Sequence, residues 1–367
     1  MIRYILILFF CCLNFFFGHA QTKPLKIGIA GLTHTHVHWI LSREDIGDIE
    51  IVGIAESNRE LAQRYAEQHG FSMDLVYNSL EEMISATKPE AVTAFGTIYD
   101  HLEVVQTCAP KGIHVMVEKP LAVNMGHAKK MKTLAEKYGI HLLTNYETTW
   151  YPSNHRAKEL LENGKIGDLR KVIVRDGHRG PVKIGVNQEF LDWLQDPVLN
   201  GGGAITDFGC YGANLMTWLK KGKKPNTVTA VTQQLQANNN PNVDDDATII
   251  LTYNDCQAIL EPSWNWPIGR KDMELYGLTG AIYADSRNTL RIRIAEGYDG
   301  FHEEQITLEE RTQPHNDPFS LFAAVIRGNI SLDPNDLSSL ENNMTVVEIL
   351  DAARESAKKG KTVTLKN

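Results

Sequence analysis

From Leu25 to about Tyr146 the sequence alternates short β-branched or apolar runs with amphipathic stretches. That alternation constrains the fold more than any other feature, because strands joined through helices lie parallel and must share one sheet. The expected strands are Lys26–Ala30, Glu50–Ala55, Ala91–Phe95, His114–Val117 and His141–Leu143. Between them, residues 59–69 carry Leu61, Tyr65 and Ala66 on one helical face, and Gly70 supplies the stop. Ser79 with Glu82, and Asp100 with Glu103, read as capping boxes, a short acceptor side chain reaching a free helix-start amide while the acid reaches back. This half is expected to be α/β, a doubly wound parallel sheet.

After Tyr146 the texture changes. Helical patterns at 157–163, ended by Gly164, and at 205–219 precede strand-like runs at 171–175, 227–235, 248–253, 258–263, 273–276, 281–284, 290–294 and 304–308. Short turns at Asn254-Asp255 and between Gly277 and Gly280 predict a mainly antiparallel open sheet with helices on one face. A closing helix is expected at 341–358, where Val346, Ile349, Leu350 and Ala353 recur at helical spacing. At 367 residues and 43% hydrophobic content the chain can build two cores, divided here as 21–147 and 148–367. The net charge of -8, with one short basic run at Lys220, Lys221, Lys223 and Lys224, argues against a nucleic-acid partner.

At the start, Arg3 precedes an apolar run from about Tyr4 to Phe17, then Gly18, His19 and Ala20 before polar Gln21. This pattern predicts a secretory leader, residues 1–20, cut near Ala20, and a periplasmic or secreted mature protein; the run is shorter than the roughly 20 residues of a spanning helix. Removing it takes away Cys11 and Cys12 and leaves Cys108, Cys210 and Cys256, with neither a disulfide framework nor zinc spacing.

The first strand runs into Gly31-Leu32-Thr33-His34-Thr35-His36 and then a helical pattern with Val37, Ile40 and Leu41. A dinucleotide fingerprint has glycines at the third and sixth of these positions, where this chain has Thr33 and His36. Strand, tight turn and helix start nevertheless remain, with helix amides available to phosphate and Thr33, Thr35 and His36 as further donors. Glu56, after the second strand, stands where an acid accepts both ribose hydroxyls and repels a 2′-phosphate, favouring NAD over NADP; Arg59 is the nearby alternative. His34, His36 and His38 raise the question of a metal, but a strand-to-helix turn points them apart, no acid lies among them before Glu44, and no metal is expected.

Two motifs carry a family resemblance: Val117-Glu118-Lys119-Pro120 at a strand end, and the run from Gly201-Gly202-Gly203 through Asp207 to Tyr211. Both resemble signatures of the Gfo/Idh/MocA oxidoreductases (glucose–fructose oxidoreductase, inositol dehydrogenase, rhizopine catabolism), and the likeness continues through the Thr97–His101 loop, Asn145-Tyr146 and the terminal helix. It implies a Rossmann domain followed by an open-sheet substrate domain, and a nicotinamide cofactor contacted by Gly31, Thr33, His34, Thr35, His36, Glu56, Thr97, His101, Glu118, Lys119 and Asn145. Lys119 would lie beside the nicotinamide and the substrate hydroxyl. Asp207 and Tyr211, four apart in the expected helix, would share a face, with Tyr211 where many members carry a histidine proton acceptor. A phenol with a pKa near 10 needs a cation nearby to serve as a base. The three glycines would let backbone approach the ligand, unless they form only a surface turn. His178, Arg179, Trp264 and Trp266 are candidates to hold a sugar, although tryptophan is also ordinary core material.

The implied reaction is hydride transfer between a hydroxyl-bearing carbon of a sugar, glycoside or polyol and the nicotinamide, in a homo-oligomer built through the open sheet. The alternatives are an NAD-dependent glycoside hydrolase or lyase acting by transient oxidation and elimination, and a non-catalytic carbohydrate-binding protein.

Overall fold

The computed structural model describes residues 23–366; the expected leader and its cut lie outside the described residues. Strands β1 (Leu25–Ala30), β2 (Ile49–Ala55), β3 (Val76–Tyr77), β4 (Ala91–Ala94), β5 (His114–Glu118) and β6 (Leu142–Asn145) form one sheet in the order β3-β2-β1-β4-β5-β6. Every pairing in it is parallel. Helices cover both faces, so β4 is buried at all four positions and β1 at all but Lys26. The order reverses between β1 and β4, which opens a crevice at the carboxyl ends of these strands.

Local signals act as expected in the Arg59–His69 helix, where the Asn58 side chain accepts from Leu61 N and Gly70 ends the helix at φ 77. Ser79 caps the next helix by accepting from Glu82 N, but the Glu82 carboxylate accepts from Asn78 N instead of from the cap residue. The Asp100 box does not form. Asp100 is already helical (φ -74, ψ -14), so its side chain cannot fold back, and its amide donates to Thr97 Oγ1 at 3.2 Å.

The second sheet comprises β7 (Leu169–Gly177), β8 (Thr227–Gln233), β9 (Asp246–Thr252), β10 (Gln257–Ser263), β11 (Arg270–Gly277), β12 (Gly280–Ala284), β13 (Thr289–Glu296), β14 (Gly300–Thr307) and β15 (Val363–Thr364). Its order is β14-β13-β12-β11-β7-β10-β9-β8-β15. Pairing is antiparallel except between β7 and β10. After β7 the chain makes its helical excursion and re-enters at β8, leaving β10 to pair with β7 in the same direction. Val172, Val174, Ala258 and Leu260 face the helices, whereas Arg175 on the opposite face pairs with Glu261 and Glu274.

Two expectations are corrected. The helix expected at 205–219 is two pieces, Ala204–Asp207 and Gly209–Leu219, interrupted at Phe208. The division at 147 is also incomplete, because the helix Pro318–Ile326 returns to the first sheet. Phe319 and Phe322 join the core around Ile27 and Ile54, and Arg327 pairs with Glu90. The closing helix, Leu340–Lys359, serves both cores: Val347 belongs to the first and Val346, Ile349 and Leu350 to the second. Cys108, Cys210 and Cys256 are buried free thiols. No helix among the described residues is long and apolar enough to cross a membrane.

Candidate active site between the domains

The turn after β1 depends on Gly31, at φ +81, where a Cβ would stand 2.8 Å from Gly96 N in the turn after β4. Glu56 at the end of β2 braces the same turn, Oε2 accepting from Leu32 N at 2.9 Å and Oε1 from Asn58 N at 2.8 Å. Burial raises this carboxyl, and the amides hold it back only in part. Gly31, Thr33, Glu56, Thr97 and His101 line a cleft between the β1, β2 and β4 turns, closed on one side by Trp193 of the second domain.

His101 is fully buried, and burial pushes it down to about 4, so it is neutral. Its Nδ1 donates to Leu121 O at 3.2 Å, leaving on the partnerless Nε2 a lone pair suited to a hydroxyl donor. A narrow glycine turn, an acid at the second strand's end and an orphaned acceptor in the wall fit a dinucleotide. Arg59 donates to Val76 O at 3.1 Å and lines no part of the cleft. The helix after the turn is only Val37–Leu41, and the amides of His34 and His36 already donate to Phe95 O and to the His34 ring, so fewer turn amides are free for phosphate than expected.

Next to the cleft is a second pocket, lined by His34, Thr35, His36, Lys119, His178, Phe190, Asp207, Phe208, Tyr211 and Lys271. Lys119, at the turn after β5, donates to the Asp207 main-chain carbonyl at 3.1 Å and to its carboxylate. The other carboxylate oxygen accepts from Trp264 Nε1 at 3.0 Å. Burial would discharge the lysine, but Asp207 outweighs it and holds the ammonium above its usual range; Lys119 likewise offsets the burial of Asp207 and holds that carboxyl low. Tyr211 is buried beside two ammoniums, with Lys119 Nζ 5.4 Å and Lys271 Nζ 5.3 Å from its ring centre. Burial and the acids around it still raise the phenol well above 10. The cations expected to turn Tyr211 into a base do not achieve this by themselves.

The expected site residues therefore divide into groups. Gly31, Thr33, Glu56, Thr97 and His101 line the cleft, while His34, Thr35, His36, Lys119, Asp207, Tyr211 and His178 line the adjoining pocket. Glu118 and Asn145 line neither. Glu118 accepts from His36 Nδ1 at 2.9 Å and Asn145 Nδ2 at 2.7 Å, and Asn145 in turn accepts from Trp150 Nε1, so both brace the turns from behind. Trp264 is core material that orients Asp207. Arg179 is exposed, and Trp266 stacks under Arg270 with its centroid 4.8 Å from the guanidinium carbon; neither reaches the pocket. The glycine run lines neither pocket. A Cβ on Gly203 would stand 1.8 Å from Asp244 O, so the run is packed against the loop before β9, and Asp244 caps the short helix through Gly203 N and Ile205 N.

The histidines do not point apart as the turn geometry suggested. His34 and His36 have ring centres 4.6 Å apart, and Glu118, at the end of β5 two strands away from β1, bonds the His36 ring. The ligand atoms of the three lie within 4.8 Å of one another. That spread exceeds the roughly 4.2 Å spanned by two Zn–N bonds of about 2.1 Å, and the His36–Glu118 hydrogen bond already uses the nearest pair. His38 instead faces His69, at 2.8 Å.

Sequence reasoning missed Lys271, Glu147, Phe190 and Trp193. Lys271, on β11, is paired with the carboxylate of Glu147, whose other oxygen accepts from Tyr151 OH at 2.5 Å. Nothing local marks a single lysine near a strand's start as a pocket residue. Phe190 and Trp193 read as one apolar side of an ordinary amphipathic stretch.

Comparison with known proteins agrees with this geometry. Residues 25–146 match the family described as "Oxidoreductase family, NAD-binding Rossmann fold", and residues 154–283 match the "GFO/IDH/MocA C-terminal domain". Among curated proteins, the trans-1,2-dihydrobenzene-1,2-diol dehydrogenase of Xenopus laevis is 30% identical over 58% of this chain and 60% of its own length. The Bos taurus enzyme of that name is 28% identical over 62% and 64%. The match thus spans less than two thirds of these relatives. Solved structures of similar fold include an inositol dehydrogenase homologue from Azotobacter vinelandii complexed with NAD+ (TM-score 0.80, 16% identity, 94% of this chain and 98% of that one). Another is an aldose-aldose oxidoreductase from Caulobacter crescentus complexed with glycerol (TM-score 0.74, 20% identity, 94% and 100%).

Proposed function

Because the chain belongs to the Gfo/Idh/MocA oxidoreductase family, we propose that it transfers a hydride between a hydroxyl-bearing carbon of a sugar, glycoside or polyol and the nicotinamide of NAD. The observation that carries this reading is the buried Lys119–Asp207 pair, which faces Tyr211 in a pocket beside the dinucleotide cleft. Bound in the cleft, the dinucleotide supplies the carbon that accepts or returns the hydride. Lys119, kept charged by Asp207, places an ammonium where alkoxide character develops on the reacting oxygen, which favours C–H cleavage without full deprotonation beforehand. Tyr211, held protonated, would give its proton to that oxygen when the reaction runs toward the alcohol, and in the oxidising direction would take up the hydroxyl proton as it passes its own to water in the pocket. Asp207, fixed by Trp264, orients the lysine. The Gly31 turn leaves the cleft open despite Thr33 and His36, which favours a cofactor-using enzyme over a purely carbohydrate-binding protein. A homo-oligomer formed through the open sheet, and export to the periplasm or beyond, belong to the same proposal.

The test is to denature purified protein and assay the supernatant for NAD(H), then to follow nicotinamide reduction with myo-inositol, D-glucose and trans-dihydrodiols. Absence of both bound nucleotide and reduction by any of them would reject the reading.

One observation favours a second reading. Lys271, 5.3 Å from the Tyr211 ring centre and paired with Glu147, forms a further proton-transfer pair, more than simple hydride transfer needs. Oxidation, elimination of an aglycone and re-reduction would use it to move a second proton. Release of nitrophenol from an aryl glycoside without net NADH formation would establish this reading; net NADH would exclude it.

A further inference from the structure

Three histidines line the substrate pocket, and their hydrogen-bond partners decide what each can do. Gly180 N donates to His178 Nδ1 at 3.0 Å and His36 N donates to His34 Nδ1 at 3.1 Å, so in each neutral ring the remaining nitrogen carries the hydrogen and can only donate. Burial keeps both rings neutral, pushing His178 down to about 4 and His34 well below its ordinary value. His36 is the opposite case. Its Nδ1 donates to Glu118 Oε2 at 2.9 Å, which leaves the lone pair on Nε2, a nitrogen that no hydrogen bond engages among the described residues. The pair is held firmly: Trp39 stacks on the ring with centroids 3.8 Å apart, Asn145 Nδ2 donates to Glu118 Oε1 at 2.7 Å, and Trp150 Nε1 fixes Asn145. Glu118 is 1% exposed and the His36 side chain 16%, so the carboxylate is shut away while the imidazole reaches the pocket. The nearby carboxylates are already occupied on both oxygens, Asp207 by Lys119 and Trp264, and Glu147 by Lys271 and Tyr151.

We propose that His36 is the general base of the site and Glu118 the carboxylate that orients it, so that the residue breaking the sixth position of the dinucleotide fingerprint serves the chemistry. The proposal rests on the hydride-transfer reading above. In oxidation the electron pair of the substrate C–H bond leaves as hydride to NAD, the O–H proton passes to Tyr211, the Tyr211 proton passes through pocket water to His36 Nε2, and the carbonyl forms. The substrate is oxidised, NAD is reduced, and one proton stays on the imidazole until solvent takes it. The imidazolium is then paired with Glu118, which holds the ring in the tautomer that keeps Nε2 free and stabilises its charge. An imidazole changes charge between about pH 5 and 8, whereas a phenol does so near 10, so His36 supplies the basicity at neutral pH that Tyr211 lacks. The titratable and charged groups around the ring are Glu118 and Lys119 at the end of β5, His34 in the same turn and Glu147 after β6.

The experiment follows nicotinamide reduction by the full protein with myo-inositol, D-glucose and a trans-dihydrodiol across the pH range, beside NADH affinity by fluorescence titration. The wild-type rate should climb between about pH 5 and 8 and then level. His36→Asn should lower kcat about 100-fold at neutral pH, within the range a positioned base contributes, and its rate should keep rising with hydroxide in place of levelling. His36→Gly, which restores the fingerprint glycine and opens room at the ring, should regain part of the lost rate when imidazole is added to the buffer. NADH affinity should hold in both variants. A wild-type rate independent of pH, or a His36→Asn kcat within about tenfold of wild type, overturns the base assignment and leaves hydride transfer standing. Loss of NADH affinity with kcat unchanged would assign His36 to the cofactor and overturns it as well. Absence of reduction with all three alcohols overturns the inference, and when no nucleotide is bound either, the hydride-transfer reading with it.

Discussion

Lys119 Nζ lies within hydrogen-bond reach of both the main-chain carbonyl and the carboxylate of Asp207, residues 88 positions apart that come from different domains. Neither side chain is more than 6% exposed, so each depends on the other for its charge.

Asp207→Asn should therefore leave a buried ammonium without its counter-charge. Turnover is expected to fall about 100-fold or more, roughly 2.7 kcal/mol of transition-state stabilisation. Because Asp207 is what raises the Lys119 pKa against burial, the alkaline limb of the rate profile should move to lower pH. Steady-state rates within about tenfold of wild type would remove the pair from the chemistry.

Glu56 lines the cleft at the end of β2 while bracing the Gly31 turn, where the proposed NAD would set its adenosine ribose. Its carboxylate should make wild-type protein bind NAD more tightly than NADP by at least about tenfold, and Glu56→Gln should bring the two affinities together. Both affinities should also weaken somewhat as the brace loosens. Calorimetry showing a wild-type preference for NADP would assign the ribose end to another residue.

Acid should destabilise the fold in two stages. Burial pushes His101, His155 and His178 down to about 4 from 6.5, so the unfolded chain takes up protons first; their contribution is complete above pH 6.5 and is lost as pH falls toward 4. Glu147 behaves differently: burial alone would raise it, but the Lys271 ammonium brings it down to about 2 from 4.5, so its contribution is lost between pH 4.5 and 2. Urea midpoints should decline from neutral pH to pH 4, and His155→Asn should flatten that slope. A midpoint constant over the range would contradict the assignment of buried neutral imidazoles.

Arg3, the apolar run and Gly18-His19-Ala20 make the N-terminus testable by itself. Intact-mass spectrometry of protein from its native host should find a chain beginning at or near Gln21. A mass corresponding to an intact Met1 would rule out cleavage.

Much of the fold was legible because its signals are local. The helix 59–69 was read to the residue, since Asn58 and Gly70 cap it through contacts a few positions away. The packing of the glycines at 201–203 is not legible in the sequence, because the groups a Cβ would meet at Gly201 and Gly203 are Val123 and Asp244, which only folding brings near. Asp100 shows the same limit at close range: the capping pattern was present, but Thr97 had already begun the turn.

By itself the sequence determined the alternation that makes a parallel sheet, the turn at Gly31, the acid after the second strand and the motifs holding Lys119, Asp207 and Tyr211. These follow from steric and hydrogen-bond preferences acting over a few residues, or from spacing along one strand or helix. Tertiary structure decided the rest. It paired β7 in parallel with β10, returned Phe319 and Phe322 to the first core, drew Glu118 to His36, and set Lys271 beside Tyr211 and Trp193 over Thr33. Each of these contacts joins segments far apart in the chain, and which of many apolar or charged side chains meet is settled only when both sheets and both cores are packed together.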